Sequence, residues 1–260
     1  LSLTNIINKY STSHVNVRNI NNDDDLYIPL SLKETIDLLK NDNNNEYISL
    51  NNSDFITDTK LDKLISNNES FFKPVMMSSK RYDIIIGSVN SRTPLVHNID
   101  YRNYYLVTEG NVSIKLITPN SKQYLHNVND YINYEFRSPI NPWKPQDNYV
   151  PDFNKANTLE INLKKGDIIF IPAYWWYSIR CNELSSICVF NYKTYMNTIS
   201  TLPYLFMYYL QKTNIKHKIV RVKENVIKSK NEIEESEEGS QEEQQDNVVD
   251  ISLNETKLNE

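Results

Sequence analysis

Apolar and polar positions alternate with two different periods along this chain. "VNVRNI" alternates residue by residue, which predicts a strand at Val15 to Ile20. "SLKETIDLLK" follows helical spacing instead, with Leu32, Ile36 and Leu39 on one face and Ser31 with Glu34 forming a capping box at its start. "DTKLDKLISN" repeats that spacing through Leu61, Leu64 and Ile65 and predicts a second short helix. From Tyr82 onward the period shortens again. "YDIIIGSV", "NYYLVTEG", "VSIKLITP", "TLEINL", "DIIFIP", "YWWYSI" and "SSICVFNY" are strand-length runs punctuated by Gly87, Gly110, Pro119, Gly166 and Pro172. Many short strands with regular turn residues predict a mainly β protein, a barrel or jelly roll with a few flanking helices. After it, "TLPYLFMYYL" reads as a helix with an apolar surface that packs on the barrel or on another subunit.

Composition narrows the class. A chain of 260 residues with 39% hydrophobic and 11% aromatic residues can build one sizeable core, and no apolar run reaches the roughly 18 residues of a membrane span. The first residues, "LSLTNIINKYSTSH", lack the basic start and apolar stretch of a secretory signal, so an intracellular, cytoplasmic setting is expected, or virion and host cytoplasm for a virus. Abundant Asn, Ile, Lys and Tyr beside 4 glycines is the composition that an A+T-rich genome produces, as in some protists and large DNA viruses. Cys181 and Cys188 have no CxxC or Cys/His company and read as reduced structural thiols.

Charge is unevenly placed. Residues 231–260 hold eleven acidic side chains against Lys257 alone, so the net charge of −5 describes this tail more than the body. With few apolar groups to offset the entropy of ordering, the tail is expected to be disordered. The basic "KHKIVRVKENVIKSK" before it has no interleaved aromatics and no nucleic-acid fold motif, so a solvated helix is preferred over a nucleic-acid site. The expected organisation is a strand and helix extension over 1–80, a barrel over 81–195, a helical segment over 196–230 and the tail.

"DIIIGSVNSRTPLVHNIDYRNYYLVTEGNVSIKLITP" and "PDFNKANTLEINLKKGDIIFIPAYWWYSI" carry a resemblance over roughly residues 15–195. In TPL, N-x6-G and GD-x-x-F-I-P-x-x-W-W, the chain is similar to the cupin-like JmjC-type family of Fe(II) and 2-oxoglutarate-dependent oxygenases, in particular the asparaginyl hydroxylase branch. The resemblance implies a double-stranded β-helix, a jelly roll with the metal at its mouth. It implies Fe(II) held by His-x-Asp on one strand and a second His directly after the WW pair. Residues two apart on a strand point the same way, so that spacing lets a His and a carboxylate grip one ion and leave positions open for cosubstrate and oxygen.

This chain departs from that pattern. If Asn103 and Gly110 set the register, His97 takes the first ligand position and Ile99 stands where the Asp belongs. If TPL sets it, the positions are Val96 and Asn98, and His97 points away. Asp100 joins His97 only through a bulge, and the one-residue mismatch between the two registers hints at one. Tyr177 occupies the distal His position, and its neutral phenol is a poor ligand for Fe(II) but can fill the cavity with its ring. The resemblance further places Thr93, Asn103, Val112, Trp175 and Asn191 around the cosubstrate pocket, with Val112 where the asparaginyl hydroxylases use a Lys to pair with 2-oxoglutarate; Lys115 is out of phase with it. Read without the resemblance, His97 is an ordinary partly buried histidine, Trp143, Trp175 and Trp176 are core and rim aromatics, and His14, His126 and His217 have no partners at ligand spacing.

These readings lead to a non-catalytic cupin-like protein with a binding or structural role, needing no cofactor. The alternative is an active hydroxylase using Fe(II) and 2-oxoglutarate at a site remodelled from His97, Asp100 and Tyr177. A third is a metal-free small-molecule binder at the barrel mouth. These residues name no protein partner; the resemblance implies a possible homodimer through residues 198–213, and neither a membrane nor a nucleic acid is expected as a partner.

Overall fold

The computed structural model describes residues 2–20, 26–42, 44, 46–66 and 69–215. The expected acidic tail and the basic stretch at 216–230 lie outside these residues. The chain opens with α1 (Leu3–Tyr10), β1 (His14–Asn19), β2 (Tyr27–Ser31), α2 (Leu32–Asn41), β3 (Tyr47–Ser49), α3 (Ser53–Asp58) and α4 (Leu61–Ser66). The strands β4 (Met77–Gly87), β5 (Leu95–His97), β6 (Arg102–Glu109), β7 (Asn111–Ile117), β8 (Val128–Asp130) and β9 (Glu135–Ser138) follow. Then come α5 (Val150–Phe153), β10 (Thr158–Lys164), β11 (Ile168–Pro172), β12 (Trp176–Cys181), β13 (Ser185–Thr194) and α6 (Tyr195–Ser200), with residues 202–215 again helical.

The strands form two antiparallel sheets, one ordered β11-β6-β13-β4-β3-β1-β2 and the other β10-β7-β12-β5-β9-β8. They face each other as a jelly roll. Alternation along each strand sorts the side chains into three layers. Ile85, Tyr105, Val107, Ile114, Leu116, Tyr177, Ile179, Ile187 and Val189 fill the space between the sheets. Ile84, Ile86, Cys188, Phe190 and Tyr192 point the other way from the first sheet and bury the apolar faces of the N-terminal helices. Leu95, Ile117 and Trp176 point outward from the second sheet and pack under Leu125, Ile140 and Phe153. Both cysteines are free and buried, one in the inner layer and one beneath the helices.

Local chemistry explains the ends of these elements. Ser31 Oγ accepts the Glu34 N–H while Glu34 accepts the Ser31 N–H, so the expected capping box starts α2 and turns Leu32, Ile36 and Leu39 into the core. Gly110 joins β6 to β7 with φ +78°, and a Cβ there would stand 2.3 Å from Ser185 Oγ, so the hairpin requires glycine. Within residues 1–80, β3 pairs with β4 and carries β1 and β2, so the N-terminal strands widen the first sheet itself. Helices α1 and α3 are additional to the two expected.

Candidate functional site at the barrel mouth

The mouth is built by parity. On β12, Tyr177 lies opposite Val96 of β5, and both point between the sheets, as does Asn98 one step beyond β5. Across the barrel, Tyr105 of β6 aligns with Val189 of β13, and Val189 with Asp83 of β4. One row nearer the opening, Asn191 aligns with Arg81 on one side and Asn103 on the other. These side chains enclose a cavity of about 110 Å³ lined by Arg81, Asp83, Thr93, Asn98, Tyr105, Tyr177 and Asn191 among others.

Tyr177 is the hub. Its ring lies 5.2 Å from that of Tyr105, and Asn98 Nδ2 donates to the Tyr105 hydroxyl at 2.9 Å. Burial pushes the Tyr177 phenol up to about 12, against the bonds to Tyr105 and Asn98 and the nearby charge of Arg81, so it stays protonated at neutral pH. Burial raises the Asp83 carboxyl as well, although Arg81 and the Asn52 and Ile84 N–H groups that bond Oδ1 at 2.6 and 2.7 Å oppose it. Asn191 Oδ1 is buried and has no hydrogen-bond partner.

The structure decides between the two registers. The order is that of TPL: Val96 and Asn98 face the interior and His97 faces outward. The one-residue offset is absorbed by residues 98–101 between β5 and β6, where Tyr174 N–H donates to Asn98 O at 2.8 Å, and not by a bulge within a strand. His97 borders the cavity, yet its ring stacks on Phe136 at 5.1 Å and meets Trp176 edge-on at 4.6 Å, in a row running across three strands. Burial and the charge of Lys122 pull its pKa down to about 4, and its Nδ1 has no hydrogen-bond partner.

The other expected site residues scatter. Ile99 is buried in the 98–101 turn and stands at no ligand position, since the parity there belongs to Asn98. Asp100 is 3.4 Å from Lys193 in a neighbouring recess and does not join His97. Thr93 and Asn191 do line the mouth. Asn103 lies in the Asn191 row, but its amide is spent bonding Asp100 O and Ile171 O at 3.0 and 3.2 Å. Val112 pairs with Cys181, four residues along β12 from Tyr177, which puts it about 13 Å down the barrel and away from the mouth; Leu116 occupies the Tyr177 level. Trp175 is half-buried against the inner layer.

Arg81, Asp83 and Tyr105 escaped the sequence reading, although a signal existed: "RYDIII" sets two charged residues at the same parity as the buried Ile85. Charged groups on the inward parity of a strand mark the place where a barrel opens. Among the described residues no three His, Cys, Asp or Glu side chains converge on a metal site. No helix among them is long and apolar enough to cross a membrane.

Comparison with known proteins agrees with the jelly roll. The mouse tRNA wybutosine-synthesizing protein 5 is 31% identical over 81 residues, which cover 31% of this chain and 24% of that protein, so the match spans about a quarter of the relative's length. Residues 10–198, well over half of the chain, match the family described as Cupin-like domain. With two antiparallel sheets closed around one apolar interior and that match along most of its length, the chain belongs to the cupin-like domain family.

Proposed function

We propose that this chain is a metal-independent binding member of the cupin-like family, with a small polar molecule as the ligand of its barrel mouth. The observation that carries this reading is the identity of the three inward residues. Val96, Asn98 and Tyr177 stand where the JmjC-type enzymes need His, a carboxylate and His. Valine offers no lone pair, a neutral amide oxygen is a weak donor, and a phenol held protonated competes poorly with water for Fe(II). These residues do not fit the metal. Asn98 instead bonds the Tyr105 hydroxyl, and Tyr177 packs its ring against that of Tyr105 and so puts an aromatic group into the space.

Recognition then falls to the groups around that plug. Arg81 and Asp83 supply opposite charges, and Asn191 Oδ1 supplies an acceptor without a partner. These groups stand among apolar side chains such as Ile85, Val96 and Val189 in a wall of mixed polarity, and fixed polar groups of this kind orient a small ligand. The alternative, a hydroxylase using Fe(II) and 2-oxoglutarate with His97, Asp100 and Tyr177, has less support, because those residues lie in the outer layer, a separate recess and the interior. Membrane and nucleic-acid partners form no part of this reading.

Thermal unfolding with Mn(II) and 2-oxoglutarate tests it. A ligand at a hundredfold excess over its dissociation constant stabilises the folded state by about 2.7 kcal/mol. No saturable stabilisation is expected. A saturable rise of that order in the parent, abolished in Asn98→Ala or Tyr177→Phe, would overturn the proposal.

A further inference from the structure

The mouth leaves one buried acceptor unanswered. Asn191 of β13 is 4% exposed, and its Oδ1 has no hydrogen-bond partner among the described residues. Asp83, on the same inward parity of β4 as Ile85, adds a second acceptor one row deeper. Its Oδ1 accepts the Asn52 and Ile84 N–H groups at 2.6 and 2.7 Å, which anchors the carboxylate and leaves Oδ2 out of both bonds. In the row nearer the opening, Arg81 of β4 aligns with Asn191 and is exposed. Oxygens that call for a donor thus lie inside, and a guanidinium stands at the entrance.

Space limits what can answer them. The cavity of about 110 Å³ is small beside the roughly 300–1,000 Å³ of sites for larger ligands, so a unit that meets both Asp83 and Arg81 carries its two charges on neighbouring carbons. The space also has an extension. An adjoining recess of about 210 Å³ shares Arg81, Asn98 and Asn191 with it and continues to Lys193 and Asp100, which lie 3.4 Å apart. A substituent on the bound unit therefore has room beside it.

We propose that the mouth binds a free α-amino acid, an assignment that rests on the reading of the mouth as a metal-independent small-molecule site. The ammonium donates to Asn191 Oδ1 and Asp83 Oδ2, while the carboxylate accepts paired hydrogen bonds from Arg81. Each charge meets its complement. Burial raises the Asp83 carboxyl in the unliganded chain, and an ammonium at its side favours the ionised form again. A 2-oxo acid has a ketone in place of the ammonium, so it sets an acceptor against the Asn191 oxygen and the Asp83 carboxylate. A simple amine leaves Arg81 unanswered. The side chain of the amino acid enters the adjoining recess, where Ser79, Asp100 and Lys193 suit a polar group better than an apolar one.

The test is thermal unfolding of the full chain in chelator-treated buffer at constant ionic strength, with L-alanine, L-glutamate, their 2-oxo counterparts pyruvate and 2-oxoglutarate, and L-alanine methyl ester. The two amino acids should raise Tm saturably, and the 2-oxo acids and the ester should not. Arg81→Gln should raise the half-saturating concentration at least about tenfold, and Arg81→Lys less, because lysine keeps the charge and loses the paired geometry. Asn191→Leu should abolish the response and raise the Tm of the unliganded chain, since it removes a buried oxygen that has no partner. Asp152→Asn, on α5, should respond as the parent does. No saturable response to either amino acid would overturn the proposal, and so would a parent-like response in both Arg81→Gln and Asn191→Leu. Metal-free binding of the 2-oxo acids as tight as that of the amino acids overturns the amino-acid class and leaves the mouth a metal-independent site. A response to 2-oxoglutarate that appears only with Mn(II) overturns that reading of the mouth, and this proposal with it.

Discussion

Lowering the pH from 7.5 to 5 should weaken this protein through His97, and the size of the loss tests the register on which the site rests. His97 is 7% exposed and packed between Phe136 and Trp176, with its pKa brought down to about 4 from the ordinary 6.5. A depressed histidine pKa means that the unfolded chain binds the proton first, so stability is fully present above pH 6.5 and is lost progressively as pH falls toward 4. For these two values the loss at pH 5 is about 2 kcal/mol, a large share of the roughly 5–15 kcal/mol that holds a domain folded. Glu34, Glu69 and Asp152, whose pKa values are lowered by their partners, stay ionised through this window and do not mimic the effect. Burial of Asp83 acts with the opposite sign, so the measurement needs a variant that isolates the histidine. Urea unfolding of the parent and of His97→Phe at pH 7.5 and pH 5 supplies it. The parent should lose about 2 kcal/mol, and His97→Phe, which keeps an aromatic ring in the row, should lose little. A parent equally stable at both pH values, or His97→Phe with the parent's pH dependence, would show that His97 does not lie in the outer aromatic layer.

The inward positions can also be rebuilt: Val96→His/Asn98→Asp/Tyr177→His should gain a saturable stabilisation by Mn(II) in thermal unfolding, whereas Ile99→Asp/Tyr177→His should gain none, and the reverse result would restore the other register. If residues 198–213 form a self-association surface, as their exposed Leu202, Leu205, Phe206 and Tyr209 suggest, light scattering should give twice the monomer mass. Leu202→Glu/Phe206→Glu should then give the monomer, and a monomeric parent would end the idea.

How the layers sort themselves was largely legible along the chain. Alternation in "SSICVFNY" and "NYYLVTEG" places Val189 and Tyr105 on one face and Phe190 and Tyr104 on the other, because successive residues of a strand point to opposite sides. The capping box of α2 is equally local, since Ser31 and Glu34 are three residues apart. Helix α1 was legible too, for Leu3, Ile6, Ile7 and Tyr10 follow helical spacing, and reading those residues for a leader alone overlooks it.

What depended on the third dimension is of another kind. The motifs TPL and Asn103 disagree by one residue, and parity along a strand cannot say which side of the turn absorbs the difference. Pairing of Tyr177 with Val96 and of His97 with Trp176 decides it, and a shift of one residue exchanges a metal ligand for a core aromatic. Val112 had the right parity but the wrong height, because the β7–β12 register sets its distance from Tyr177. The cluster of Arg81, Asp83, Asn98, Tyr177 and Asn191 at the mouth has no contiguous sequence motif. Its members are brought together only when β4 and β13 of one sheet face β5 and β12 of the other, so the sequence determined the strands and their faces while the packing of one sheet on the other decided which side chains meet.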